Sequence, residues 1–104
     1  MITIKNTGVA HANGYKVLEV YEGQNLIANN CDVVRINDIT IDADDNGLRG
    51  FETVGDVINE SITLHGDYVM TSKYFEHTCT LEPIKSKGTL RYEYNNNNSL
   101  QNRK

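Results

Sequence analysis

The chain has 104 residues, with 14 Asp and Glu against 10 Lys and Arg, and a mean hydropathy of -0.50. That length allows one domain with one core, and an apolar content of 38% makes the core thin. No run approaches the ~20 apolar residues of a membrane-spanning helix. Met1–Asn6 lacks the basic and long apolar regions of a signal peptide, so the expectation is a cytoplasmic protein without membrane contact. Cys31 and Cys79 fit that compartment as buried thiols; a disulfide between them depends on a Cα separation that sequence alone does not contain.

Charge is unevenly spread. Residues 31–60 hold eight acids against Arg35 and Arg49, a net of −6, while residues 61–104 hold six bases against four acids. An acidic centre repels phosphate backbones, which argues against generic nucleic-acid binding.

In chain order the sequence reads as short β runs divided by turn residues. Ile2–Lys5 forms a first strand, followed by a loop through Gly8 and His11–Gly14. Tyr15–Tyr21 is the clearest early strand, rich in β-branched and aromatic residues, and Glu22-Gly23 turns it toward Asn25–Ala28. Asn29-Asn30 marks a break before Cys31–Ile36, and Asn37-Asp38 makes a two-residue hairpin loop to Ile39–Ile41. Asp44–Gly47 is the next turn, and Gly50–Val54 a further short strand. Val54–Glu60 is the one helical candidate, at most a turn or two, with Thr53 as its N-cap. Ser61–Leu64 and Tyr68–Thr71 pair as a second hairpin, and Thr78–Glu82 with Gly88–Tyr94 as the last. The fold class expected is mainly β: a small antiparallel sandwich or partly open barrel over residues 1–94, with at most one short helix near 54–60. Residues 95–104 form a polar, Asn-rich tail that reads as disordered.

The sharpest local pattern is Asp42-Ala43-Asp44-Asp45-Asn46-Gly47-Leu48. Asp42, Asp44, Asn46 and the Leu48 carbonyl match the first half of an EF-hand-type loop, a weak Ca²⁺ candidate. The second half fails, because position twelve is Thr53 and the acid comes one residue early at Glu52. An acidic turn between strands accounts for the same residues more simply. His11, His65 and His77 lie far apart, and neither they nor the cysteines have zinc-ligand spacing. No phosphate-cradling glycine loop, nucleophile elbow or metalloprotease motif occurs, so catalysis is not expected.

The leading expectation is therefore a non-catalytic protein-binding module whose acidic surface, Asp38, Asp42, Asp44, Asp45 and Glu52 with Tyr21, meets a basic protein. Abundant Asn, Ile, Lys and Tyr suggest an AT-rich coding sequence of the kind phages and mobile elements carry, and an inhibitor of a host nucleic-acid-handling or defence protein fits that background. A structural subunit of virion type, a homo-oligomer joined through β edges, is the alternative. A small-ligand or Ca²⁺-binding β protein is the third reading.

Overall fold

The computed structural model describes residues 1–84, and over that span the protein is all β. Ten strands follow one another: β1 (Ile2–Ala10), β2 (Lys16–Glu22), β3 (Asn25–Cys31), β4 (Val33–Ile36), β5 (Ile39–Asp44), β6 (Gly47–Arg49), β7 (Gly55–Ile58), β8 (Ser61–Leu64), β9 (Tyr68–Phe75) and β10 (Thr78–Pro83). They form two five-stranded sheets, ordered β3-β2-β1-β8-β7 and β6-β5-β4-β10-β9. The first is antiparallel; the second is mixed, because β10 runs parallel to β4 and antiparallel to β9.

Both sheets feed one core through a period of two residues, which points alternate side chains to the same face. Ile2 and Ile4, Leu18 and Val20, and Ile62 and Leu64 come from the first sheet; Val34 and Ile36, Ile41 and Ala43, and Cys79 and Leu81 come from the second. Fully burying each Ile or Leu contributes about 1.5–3 kcal/mol, so these pairs set both the register and the stability.

β3 departs from that period. Its buried residues, Ala28 and Cys31, are three apart, whereas their partners Val20 and Leu18 are two apart. Asn29-Asn30 is thus a bulge within one strand rather than the predicted break, and the break falls at Asp32. β1 bulges too, between Asn6 and Ala10, at Gly8 with φ +82°. There the Asn6 and Thr7 side chains accept the freed N–H groups of Gly8 and Val9.

Several expected elements are replaced. Among the described residues there is no helix: β7 occupies 55–58, and Asn59 and Glu60 turn into β8 with φ of 51° and 64°, the pattern of a type I′ hairpin. Residues 51–54 form a turn, not a strand. Ser61–Leu64 and Tyr68–Thr71 are strands, but β8 pairs with β1 and β7 while β9 belongs to the other sheet. The partner predicted for β10 over 88–94, the boundary at residue 94 and the tail at 95–104 lie outside the described residues. No described helix is long and apolar enough to cross a membrane.

The buried-thiol expectation is also corrected. Cys31 at the end of β3 and Cys79 on β10 form a disulfide, Cα to Cα 6.2 Å, between the two sheets. The spacing was invisible because the cysteines are 48 residues apart and meet only after both sheets have formed.

Two stability predictions follow from these contacts. Replacing both cysteines with serine, or reducing the bond, lowers stability by about 4 kcal/mol on the chain-entropy account of a loop this long, read as a shift in the urea midpoint. Gly50 has φ +87°, and a β-carbon there would collide with the Thr40 carbonyl. Gly50→Ala is therefore expected to cost about 2–4 kcal/mol by the same measurement.

Candidate functional site

The acidic turn is organised by two internal cations. β5 extends through Asp44, so Asp42 and Asp44 project from one face of the strand, and Arg49 stands opposite Asp42 in the β5–β6 register. Arg49 Nε and Nη2 reach Asp42 Oδ1 at 2.9 and 2.7 Å, and Nη1 reaches Asp44 Oδ2 at 2.9 Å. The second Asp44 oxygen accepts the Asn46 N–H at 2.8 Å, which shapes the turn. Asp45 is exposed and pairs with Lys16 Nζ of β2 at 2.8 Å. The Asp42 hydrogen bond and charge hold the Arg49 guanidinium further into its charged form, and Lys16 holds the Asp45 carboxyl below the ordinary aspartate range.

Of the Ca²⁺ candidates, Asp42 and Asp44 already share a guanidinium, Asn46 is exposed in the turn, and the Leu48 side chain packs into the core. A cation there has to displace Arg49. Among the described residues no group of three or more His, Cys, Asp or Glu side chains is arranged to hold a metal ion. The other predicted contact residues are dispersed: Asp38 is exposed in the β4–β5 turn, Glu52 in the 51–54 turn, and Tyr21 is half-buried with its hydroxyl donating to Glu19 at 3.0 Å. That carboxylate raises the Tyr21 pKa. Asp44, Asp45 and Asn46 do line an open cleft of about 510 Å³, together with Asn6, Thr7, Lys16 and Glu60. Glu60 accepts from Asn6 Nδ2 at 2.8 Å, closing the far wall.

Sequence reasoning passed over a second place, the corner where the chain leaves one sheet for the other. Only Asp32 separates β3 from β4, and among the described residues it is the one charged residue in the buried set, 8% exposed. Its N–H donates to the His77 carbonyl at 3.0 Å, and its Oδ2 accepts from Asn13 Nδ2 at 2.6 Å. Its Oδ1 faces His11 Nε2 at 3.5 Å, near enough for attraction, yet both atoms are buried without a hydrogen-bond partner. His11, Asn13, Asp32 and His77 line a cleft of about 230 Å³. His77 sits with Glu76 in the β9–β10 turn, both at positive φ, after Tyr74, also at positive φ. The Tyr74 hydroxyl donates to Asn29 Oδ1 at 2.9 Å and accepts the Asn29 N–H at 2.8 Å, fastening this turn to the β3 bulge. Phe75 is left 70% exposed. A lone Asp beside a cysteine was the only sequence signal for this corner.

No protein-family model, curated protein or solved structure matches the chain.

The Asp45–Lys16 pair makes a pH prediction. Because the folded-state pKa of Asp45 is depressed, its contribution to stability is present above the ordinary aspartate range and is lost as pH falls through the lowered value. An NMR titration of the Asp45 carboxyl is expected to show that low midpoint, returning toward the ordinary value in Lys16→Gln.

Proposed function

We propose that this domain is a non-catalytic protein-binding module that docks on a basic protein surface. The observation that carries this reading is charge: residues 1–84 hold 13 acids against 5 bases, a net of −8, while residues 85–104 hold one acid against five bases. Asp42, Asp44 and Asp45 are compensated by Arg49 and Lys16, so the attraction does not centre on that turn. Asp38, Glu52, Glu76 and Glu82 are exposed and have no ion-pair partner among the described residues. Such a field speeds association with a cationic partner and discriminates against anionic ones. Proteins that handle nucleic acid present basic surfaces, which makes an inhibitor of one of them the fitting role.

A second reading is self-association through β9. This eight-residue strand is the outer member of its sheet among the described residues, with Val69 and Phe75 exposed. An open edge of that length is a template for pairing with another copy, opposed here by the charge of Lys73.

An arginine-rich peptide titrated at about 50 and 300 mM salt tests the first reading. Affinity is expected to fall steeply with salt, to weaken in Asp38→Lys with Glu52→Lys, and to rise in Arg49→Gln, which releases two carboxylates. Binding indifferent to ionic strength and to these charges sinks the proposal; a concentration-dependent dimer in light scattering supports the second reading instead.

A further inference from the structure

Buried polar atoms are nearly always hydrogen-bonded, so an orphan calls for an explanation. Two orphans face each other here, His11 Nε2 and Asp32 Oδ1, on the wall of one cleft. Everything around them is already committed. Asn13 fixes the other Asp32 oxygen at 2.6 Å, the His77 carbonyl takes the Asp32 N–H, and the Cys31–Cys79 bond adjoins on both sides. His11 is held by its own backbone, donating to the Tyr15 carbonyl at 2.7 Å and accepting from Gly14 at 3.0 Å. A buried carboxylate oxygen and a buried imidazole nitrogen thereby lie 3.5 Å apart behind the cleft surface, at ion-pair distance but without a hydrogen bond between them, and a small turn of the two side chains brings both to the cleft.

We infer that this cleft receives the guanidinium of an arginine from a basic partner, an inference that rests on the binding reading above and locates its anchor. Guanidinium is a planar fork of donors; one N–H reaches Asp32 Oδ1 and a neighbouring one reaches His11 Nε2 in its neutral, Nδ1-protonated form. Acceptors 3.5 Å apart suit two such divergent bonds. Lysine fits less well, since its ammonium is a strongly hydrated point charge that would have to be stripped of water. The cleft volume of about 230 Å³ is roughly that of seven or eight waters, enough for a guanidinium and its last methylenes. Burial matters because a charge-assisted hydrogen bond to a desolvated carboxylate exceeds one formed in bulk water. The surrounding net of −8 brings the cation in, and the preformed pair holds it.

The test uses the full chain labelled with ¹⁵N and titrated with N-acetyl-arginine methylamide, its citrulline analogue serving as the uncharged control. Saturable shifts are expected at the Asp32 and His77 amides and the Asn13 side-chain amide, absent with citrulline. Asp32→Asn should weaken the interaction tenfold or more, and so should His11→Phe. Ile58→Thr, at an exposed position of the β7–β8 hairpin that does not line the cleft, should leave affinity within about twofold. Asn13→Ala releases the carboxylate while leaving both acceptors in place, and several-fold weaker binding is expected even if Asp32→Asn fails to fold. Shifts spread over the acidic surface and unchanged in these variants would overturn the inference. In that event, salt-sensitive capture of the arginine-rich peptide, if retained, leaves the acidic-surface reading standing; loss of both removes that reading as well.

Discussion

The crossing of the chain from one sheet to the other at Asp32 is the constraint on which the rest depends. β3 ends at Cys31 and β4 begins at Val33, so a single residue carries the backbone between layers. A corner this abrupt has to be pinned from outside, and three links do so. The disulfide ties Cys31 to β10, the His77 carbonyl takes the Asp32 N–H, and β10 lies parallel beside β4 in register from Thr78 with Val33 to Leu81 with Ile36. In that parallel pair Cys79 lies beside Val34, three residues beyond Cys31, where the disulfide forms. Because the bond is buried and cross-links the layers, it restricts the unfolded chain over nearly half its length.

Local charge runs and the field they produce are different things in this protein. The densest acidic run, Asp42 to Asp45, is the one most fully neutralised, because strand alternation sets Asp42 and Asp44 on the face that Arg49 crosses. Arg49 counted in the sequence only as one base in a stretch of eight acids. Its position opposite Asp42 turns it into a clamp for the β5–β6 hairpin, while dispersed acids such as Asp38 and Glu52 keep their charge available.

Much of the fold was legible where the physics is local. The Ile2/Ile4, Leu18/Val20, Val34/Ile36 and Ile62/Leu64 pairs announce strands by their period, and the two-residue Asn37-Asp38 loop predicts its own hairpin. What failed was non-local or chemically disguised. Asn59-Glu60 makes a tight turn although Glu seldom adopts positive φ, so β7 and this turn looked like a short helix leading into β8. Asn29-Asn30 resembles a break, yet as a bulge it keeps Ala28 and Cys31 both in the core. Strand partners could not be read, because β8 and β9 are adjacent in sequence and belong to opposite sheets. The candidate corner was hidden for the same reason: His11 with Asn13, Asp32 and His77 come from three distant segments.

The corner also explains why strain gathers at the β9–β10 turn. Tyr74, Glu76 and His77 all hold positive φ, an arrangement that costs of order 1–3 kcal/mol per residue unless neighbours enforce it. The neighbours are identifiable. Tyr74 is locked to Asn29 by two hydrogen bonds through one hydroxyl, and the His77 carbonyl is required by Asp32. Relaxing the turn would free the Asp32 N–H inside a buried site and withdraw His77 from the wall of the cleft. Backbone strain in one sheet is therefore balanced against polar burial at the junction with the other, and the exposed Phe75 is the side chain that this balance leaves facing solvent.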